Sequence, residues 1–303
     1  MAEMIGGVTL RTFGPESVRM YNEGDEVEEF ILSVLKSGQD VREVLAQDNR
    51  WPVLYQLSPE RANIVSPMDI RPEDRVLEIG AGMGAVTGAI ASRCEQVDCV
   101  ELSMRRSLAN AYRNQGYGNI HIYVGNFQAF QPAGTYDVVL LIGVFEYAQS
   151  YIDGDAPYAA MLARVRSMLK PGGRLYIAIE NRLGMKYLAG CVEDHLGRSF
   201  AGIEGYATAD PVRTFTKSEL RGMLLGSGFS SIYFYYPFPD YKLPVAIYSD
   251  DYLPPSLDRS AAKRANYDQD RFFCFDDAAA YETLASTDER AAFANSFLIE
   301  AVN

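Results

Sequence analysis

Apolar runs and amphipathic stretches alternate through the middle of the chain. Short runs rich in Val, Ile and Leu predict buried strands, and stretches whose apolar residues recur with helical spacing predict helices. The predicted strands are Arg75–Ile79, Gln96–Val100, Ile120–Val124, Tyr136–Val144, Arg174–Ile179, Ser231–Tyr236 and Ser296–Val302. The helices predicted between them are Ala85–Arg93, Arg105–Asn114, Tyr158–Leu169 and Lys217–Leu225. This alternation implies right-handed crossovers, so we predict an α/β fold with a doubly wound, seven-stranded, mostly parallel sheet.

The start of the chain carries helical patterns ahead of the first predicted strand. Glu26–Leu35 and Val41–Leu45 each read as a helix with one apolar face. Ser58 followed by Pro59 is a favoured N-cap and first-turn pair, which predicts a third helix. We therefore predict an N-terminal helical cap over residues 1–66.

Two long segments interrupt the alternation of strands and helices. They are residues 181–213, after the fifth predicted strand, and residues 237–292, before the last one. Loops of this length inside a compact domain are usually lids or binding segments. We therefore predict a catalytic domain over residues 67–303 whose two insertions bind the substrate.

The net charge of the chain argues against some classes of binding partner. Its 28 lysines and arginines against 40 aspartates and glutamates give a formal net charge of −12. Because phosphate binding relies on clustered basic residues, we predict no nucleic-acid partner and no anionic membrane surface. We also expect no transmembrane segment or signal peptide, since no uncharged run approaches roughly 20 residues and Glu3 and Arg11 carry charges near the start. The expected location is the cytoplasm.

The cysteines and histidines do not form a metal-binding pattern. The four cysteines show no CxxC spacing, and the chain has two histidines. This argues against a structural zinc site, and we predict reduced cysteines and no bound metal.

A glycine-rich loop follows the first predicted strand and opens a helix. Gly80 permits a tight turn, and Gly82 lets a ligand approach the bare backbone. The helix that begins after Gly84 offers free N–H groups to a polar or negative ligand. Glu101 closes the next strand, 17 residues after Gly84, where a carboxylate can accept the hydroxyls of a ribose. The loop therefore predicts a nucleotide-type ligand.

The glycine pattern alone fits more than one ligand. Gly80-x-Gly82-x-x-Ala85 matches the looser dinucleotide fingerprint. Glu78, however, lies inside the first strand, where a dinucleotide fold usually keeps an apolar residue.

Later segments fall in a recognisable order. They are Glu78-x-Gly80-x-Gly82-x-Gly84, Glu101, Tyr136–Leu141, Leu169–Leu175 and Ser227–Phe229. In this order and spacing the chain resembles the class I S-adenosylmethionine-dependent methyltransferases, over about Asp74–Tyr236. The resemblance implies a Rossmann-like methyltransferase fold and S-adenosylmethionine as the cofactor.

The resemblance also implies how the cofactor is held. The glycines would surround its methionine and ribose parts, Glu101 would hold the ribose, and Asn126 with Phe127 would flank the adenine. Many members have an acidic residue at the place of Asn126. Ile142 and Gly143 would contact the methionine end through backbone groups. The implied cofactor-binding residues are Glu78, Gly80, Gly82, Gly84, Glu101, Leu102, Asn126, Phe127, Ile142 and Gly143.

Other segments resemble a bacterial subgroup associated with surface-polysaccharide and secondary-metabolite gene clusters. They are Leu54–Pro59, Ile179–Tyr187, Gly202–Tyr206 and Asn295–Leu298. This resemblance implies methyl transfer to an oxygen of a small molecule or saccharide. N-methylation of a small amine, a nicotinamide-dependent oxidoreductase and a non-catalytic cofactor-binding protein are the alternatives. The oligomeric state stays open, with a homodimer as one candidate.

A hydroxyl acceptor needs a group that takes its proton, normally His, Asp or Glu. The predicted catalytic residues are His195, in the first insertion, and Glu146 and Tyr147, which follow the fourth strand. The predicted substrate-binding residues are Glu180, Asn181, Glu204, Tyr206, Arg213 and Tyr241. A structural role for His195 and a surface ion pair at Arg213 are the competing interpretations.

Overall fold

The computed structural model describes residues 2–14, 23–256, 271–284 and 287–303. Parts of the predicted cap and of the second predicted insertion lie outside these residues. The chain divides into two compact units. The first unit comprises residues 1–142 and 167–175, and the second comprises residues 143–166 and 176–303.

The first unit is built on a mostly parallel sheet. Its strands are β1 (Ala2–Ile5), β2 (Val8–Thr12), β3 (Arg75–Ile79), β4 (Gln96–Glu101), β5 (Ile120–Val124), β6 (Tyr136–Ile142) and the first part of β7 (Leu169–Glu180). The strands of this unit are arranged in the order β1-β2-β5-β4-β3-β6-β7. β1 and β2 are antiparallel, while β2, β5, β4, β3 and β6 run parallel to their neighbours. The order reverses between β3 and β6, and in open α/β sheets this switch point is where ligands bind.

The central strands are hydrophobic almost throughout because both faces of the sheet are covered. Four of the five residues of β3 are buried, as are six of the seven residues of β6. A continuous apolar run is the expected signature of a buried parallel strand. Ile79 pairs with Leu141, so β3 and β6 end at the same edge of the sheet.

Five helices belong to the first unit. They are α1 (Asp25–Ser37), α2 (Val41–Gln47), α3 (Trp51–Leu57), α4 (Thr87–Ala91) and α5 (Met104–Arg113). The apolar face of α1 packs with α3, Met83 and Ala109 in one buried cluster. The α1 residue Glu28 accepts a hydrogen bond of 2.6 Å from Arg106 Nη2 on α5, and both side chains are buried. This ion pair and the apolar cluster anchor the N-terminal helices to the helix that follows β4.

The second unit contains antiparallel pairs. Its strands are the last part of β7, β8 (Ser230–Phe238), β9 (Ala246–Ser249) and β10 (Ser296–Val302), in the order β7-β10-β8-β9. β8 is antiparallel to both β10 and β9. Its helices are α6 (Ala148–Tyr151), α7 (Pro157–Met168, whose last turn enters the first unit), α8 (Met185–Leu188), α9 (Lys217–Gly226) and α10 (Asp277–Leu284). Thr216 and Glu219 form a capping box that fixes the start of α9.

The sequence-based expectations hold for the fold class and for all seven predicted strands. The sheet nevertheless has ten strands, because β1, β2 and β9 also form. The helix predicted to begin at Pro59 is a 3-10 helix over Pro59–Val65, and Ser58 caps it as predicted. The segment Lys170–Gly173, between the helix predicted over Tyr158–Leu169 and the next predicted strand, is part of β7, although Gly172 has a φ of 75°. The roles of a cap and of two substrate-binding insertions stay predictions.

Among the described residues, no helix combines the length and the apolar character that crossing a bilayer requires.

Candidate functional site

The glycine loop after β3 adopts a backbone conformation that favours glycine. The φ angles of Gly80, Gly82 and Gly84 are 69°, 55° and 75°. This left-handed region costs an L-residue roughly 1–2 kcal/mol, whereas glycine enters it freely. The loop leaves Gly80 exposed at the end of the strand.

Gly82 and Gly84 have different surroundings. A Cβ built on Gly82 would meet only the carbonyl oxygen of Gly80, at 4.0 Å. A Cβ on Gly84 would lie 2.3 Å from Asn110 Oδ1 and 2.7 Å from Asn114 Nδ2. Gly82 therefore faces open space that a ligand can occupy, while Gly84 is required by the close packing of the asparagines of the helix behind the loop.

We expect alanine at these two glycines to have separable effects. Gly84→Ala should lower the free energy of unfolding by about 2–4 kcal/mol, because a left-handed alanine also overlaps two buried side chains. Gly82→Ala should lower it by only about 1 kcal/mol but weaken cofactor binding at least about tenfold, since its methyl group fills ligand space. Urea unfolding and calorimetry measure the two quantities. Gly222→Ala, in a helix with nothing near the added methyl group, is the control and should not destabilise the protein. Equal stability losses at positions 82 and 84 would contradict the distinction.

Glu101 is bonded to the backbone of the glycine loop. Its Oε2 accepts a hydrogen bond of 2.9 Å from Gly82 N, and its Oε1 accepts one of 2.8 Å from Ser103 N. Each carboxylate oxygen has a second lone pair that can accept a ligand hydroxyl. The position at the end of β4 thus matches the predicted ribose contact.

The side chain of Glu78 contacts other side chains of the first unit. Its Oε2 accepts a hydrogen bond of 2.6 Å from Thr87 Oγ1, and Cys99 Sγ lies at 3.6 Å. Burial raises the pKa of Glu78 to about 7, against the opposing effect of these hydrogen bonds. Glu78 therefore supports the start of α4 from inside the first unit.

The remaining predicted cofactor residues lie at strand ends. Asn126 Oδ1 accepts a hydrogen bond of 2.9 Å from Gln128 N and caps a short 3-10 helix, so one of its lone pairs is already used. Phe127 and Ile142 are buried, and Leu102 is partly exposed. Gly143, the first residue of the second unit, has a φ of 67°, and a Cβ there would lie 2.7 Å from Tyr241 Oη.

In the second unit, Glu146, Glu180 and His195 come together; we call them the Glu–His cluster. His195 Nε2 lies 3.8 Å from Glu146 Oε1 and 3.8 Å from Glu180 Oε2. Both glutamates are 0% exposed. Within the described part of the chain, both carboxylate oxygens of Glu146 and Oε2 of Glu180 lack a hydrogen-bond partner. Such groups are costly to bury and are characteristic of functional sites.

The other side of the His195 ring is held by Glu193. The Nδ1 to Glu193 Oε1 distance is 2.9 Å. Glu193 Oε2 accepts hydrogen bonds from the backbone N–H groups of His195 and Leu196, both at 2.8 Å. Tyr147 contacts the ring edge-to-face, with centroids 5.3 Å apart. These contacts fix the orientation in which Nε2 faces the two glutamates.

Burial and neighbouring charges shift the pKa values of the cluster. Burial raises the pKa of Glu146, and Glu180 adds to the shift while His195 opposes it. Burial alone would lower the pKa of His195, but Glu180, Glu146 and Glu193 outweigh it and raise that pKa well above its ordinary value. Since a protonated imidazole cannot accept a proton, Glu146 has the better electrostatics for a general base.

Two lysines lie next to the cluster, Lys186 buried and Lys242 partly exposed. Lys186 Nζ donates to Asp194 Oδ2 at 2.7 Å and to Asp240 Oδ2 at 2.6 Å. Lys242 Nζ donates to Asp194 Oδ2 at 2.6 Å and also to Glu180 Oε1. Lys186 has 1% of its side chain exposed. Its carboxylate partners therefore stabilise an ammonium charge that burial alone would disfavour.

The other predicted substrate-binding residues have different surroundings. The Nδ2 of Asn181 donates to the backbone oxygens of Ala292 and Ala294, and its Oδ1 accepts from Leu183 N, so both amide hydrogens are used. Tyr206 Oη donates to Glu193 Oε1 at 3.2 Å, which places it behind His195. Arg213 donates its backbone N–H to Glu146 O, Glu204 is exposed, and Tyr241 is buried.

The sequence analysis did not select five residues of this region. They are Lys186, Glu193, Asp194, Asp240 and Lys242. Glu193 stands two residues before His195, which was the one available signal. The others carry no motif, because lysines and aspartates in loops are ordinarily solvated.

Comparisons with known proteins match the part of the chain that contains the glycine loop and Glu101. The family model described as a methyltransferase domain matches residues 77–175. A protein-L-isoaspartate O-methyltransferase of Opitutus terrae is 26% identical over 148 residues, covering 46% of this chain and 58% of the relative. A ubiquinone biosynthesis O-methyltransferase of Xanthomonas campestris is 28% identical over 152 residues, covering 44% and 57%. The chain thus spans little more than half the length of these two relatives.

Solved structures show the same fold. The methyltransferase in complex with the Haloferax volcanii Trm112 methyltransferase activator has a TM-score of 0.51 at 16% identity, covering 93% of this chain and 99% of that chain. The phosphoethanolamine N-methyltransferase 1 of Haemonchus contortus, in complex with phosphoethanolamine and S-adenosylhomocysteine, has a TM-score of 0.50 at 15% identity, covering 91% and 48%.

The residues of the first unit fit the cofactor of this family. Gly82 borders open space, Gly80 is exposed, and Glu101 at the end of β4 retains lone pairs for a ribose. These residues would hold S-adenosylmethionine, whose sulfonium supplies the methyl group. The matched family model, the fold and the glycine loop agree: over residues 77–175 the chain is similar to a methyltransferase domain.

Proposed function

We propose that the chain transfers a methyl group from S-adenosylmethionine to an oxygen of a small-molecule or saccharide acceptor. The observation that carries this proposal is the pair of unpartnered carboxylate oxygens of Glu146, buried beside His195. A hydroxyl must lose its proton during methylation, and a buried carboxylate with a raised pKa is suited to receive it.

Chain order supports a catalytic role for the segment that follows β6. β3 ends at the glycine loop and β6, parallel to it, ends at Ile142. Glu146 follows four residues later in the sequence. Segments after such strand ends supply the catalytic and binding groups in open α/β folds.

His195 has a supporting role in this proposal. Glu193 holds its ring, and its raised pKa makes it a positive neighbour of Glu146 and Glu180. That charge opposes the mutual repulsion of the two carboxylates, so that Glu146 can be ionised when the acceptor binds. Tyr147 and Tyr206 add ring faces and hydroxyls that suit a hydroxyl-rich acceptor.

Methylation of an amine is the second candidate. The same unpartnered carboxylates favour it, because they would also accept hydrogen bonds from an ammonium group. The match to a methyltransferase family argues against the oxidoreductase alternative.

Calorimetry with S-adenosylmethionine, S-adenosylhomocysteine and NADH tests the first half of the proposal. We expect both adenosyl compounds to bind and NADH to give no heat. A screen of sugars, phenols, hydroxy acids and primary amines, with S-adenosylhomocysteine release as the assay, then tests the acceptor. Turnover with amines alone would change the proposed acceptor atom from oxygen to nitrogen. NADH binding alone would overturn the proposed function.

A further inference from the structure

Three metal-ligand atoms converge at the Glu–His cluster. One oxygen of Glu146, one oxygen of Glu180 and one ring nitrogen of His195 all lie within 4.8 Å of one another. Both His195 to glutamate distances are 3.8 Å, which is too long for a hydrogen bond. An ion between such atoms would bond to each at roughly 2.0–2.2 Å after a small adjustment of the side chains.

The glutamates have free lone pairs where the three residues meet. Lys242 already occupies Oε1 of Glu180, which leaves Oε2 of Glu180 and both oxygens of Glu146 without partners among the described residues. All of these atoms are buried, so water does not satisfy them from outside. A cation at their meeting point would satisfy one oxygen of each glutamate at once, which leaves the second oxygen of Glu146 for the proton of the acceptor.

The histidine is oriented as metal-bound histidines usually are. One ring nitrogen bonds to the carboxylate of Glu193 at 2.9 Å, and the other faces Glu146 and Glu180. Metal-ligating histidines almost always give their second ring nitrogen to a carboxylate or carbonyl group, which fixes the ring. Tyr206 and two backbone N–H groups hold Glu193 in turn.

The charges of this region also call for a cation. The carboxylates of the Glu–His cluster, Glu193 and the two lysine-bound aspartates number five, against two lysines. With His195 neutral, as a metal-bound imidazole is, three negative charges are in excess within this group of side chains. Uncompensated charge is expensive to bury, and a divalent ion offsets most of this excess.

We propose that Glu146, Glu180 and His195 bind a divalent transition-metal cation. A mixed set of two carboxylates and one imidazole suits Mn²⁺ or Zn²⁺ better than Ca²⁺, which takes six to eight oxygen ligands. The site was not expected from the sequence, because its ligands come from three distant positions in the chain. In the metal-bound cluster His195 is neutral, and the cation takes over the positive charge that a protonated His195 supplies in the proposed function. A role of the ion in placing the acceptor oxygen rests on that proposed function, whereas metal binding itself does not.

Metal titrations test the proposal directly. The purified full chain, stripped with a chelator and dialysed, is titrated with MnCl₂, ZnCl₂ and CaCl₂ by calorimetry, and bound metal is counted by mass spectrometry. We expect about one equivalent of Mn²⁺ or Zn²⁺ and at least roughly a hundredfold weaker binding in Glu146→Gln, which keeps the side-chain shape and loses the charge. His195→Gln should weaken binding similarly. Glu289→Gln, at an exposed glutamate of the same unit, is the control and should bind as the wild type does.

Thermal unfolding gives a second readout. Added metal should raise the unfolding temperature of the wild type and of Glu289→Gln, but not that of Glu146→Gln. Absence of Mn²⁺ and Zn²⁺ binding at millimolar concentration, or wild-type affinity in Glu146→Gln, would overturn the inference. Binding of a primary amine without metal, lost in Glu146→Gln, would also overturn it and assign the cluster to an ammonium group.

Parallel titration with S-adenosylhomocysteine separates this inference from the proposed function. Cofactor binding without metal binding would overturn the metal site alone. Metal binding without cofactor binding would overturn the proposed function and leave the metal site in place.

Discussion

Replacement of Glu101 by alanine should reduce the affinity for S-adenosylmethionine at least about a hundredfold. The carboxylate holds the backbone of Gly82 and Ser103 and presents lone pairs to the ribose. Hydrogen bonds to charged groups contribute about 1.5–3 kcal/mol each, and about 1.4 kcal/mol corresponds to a tenfold change in affinity. The free-energy cost of losing the loop order and the ribose contacts together should therefore exceed the contribution of two such hydrogen bonds.

The measurement is calorimetric titration with S-adenosylhomocysteine, which avoids turnover. Glu101→Gln keeps one oxygen acceptor and should fall between the wild type and Glu101→Ala. Glu95→Gln, at an exposed glutamate before β4, is the control and should bind normally. Circular dichroism checks that the variants are folded. Undiminished affinity in folded Glu101→Ala would remove Glu101 from the cofactor site.

Replacement of His195 by alanine should lower turnover by about 10²–10⁴-fold while cofactor affinity changes little. The imidazole is held by Glu193 and faces Glu146 and Glu180 at 3.8 Å. Its loss leaves the two glutamates without the group that balances their charges, and it removes one predicted metal ligand. General acid–base catalysis typically contributes a rate factor in this range. Cofactor affinity should change little because the glycine loop and Glu101 belong to the other unit.

The assay compares turnover with cofactor affinity on the same samples. His121→Ala is the matched control, because the second histidine of the chain lies in β5 of the first unit. It should retain nearly full turnover. His195→Gln, which keeps a polar side chain, guards against a folding defect in His195→Ala. Full activity of a folded His195→Ala protein would leave His195 with a structural role only.

The sequence predicts the central sheet well because each central strand is a short apolar run. β1 and β2 were missed for a physical reason. β2 pairs with β5, whose sequence lies more than one hundred residues away, so its strand conformation depends on a tertiary partner. β9 has four residues that are all only partly buried, so its strand conformation depends on pairing with β8.

The two parts of the candidate site differ in how well the sequence predicts them. The glycine loop and Glu101 are local patterns at strand ends, and the structure places both as the sequence indicates. Lys186, Asp240 and Lys242 meet only because loops after β7 and β8 converge, which no spacing in the sequence encodes. Gly84 has a structural reason of its own, because Asn110 of α5 and the neighbouring Asn114 leave no room for a side chain there. Its contribution to the cofactor site stays a prediction.

The division of the chain into two units affects how its parts can be exchanged. The polypeptide passes from one unit to the other three times, after residues 142, 166 and 175. No single cut therefore yields two complete halves, and a one-crossover chimera with a relative would mix both units. Under the proposed function, grafting a new acceptor specificity means exchanging residues 143–166 and 176–303 together. Recombination libraries built from this protein should be designed with paired crossover points.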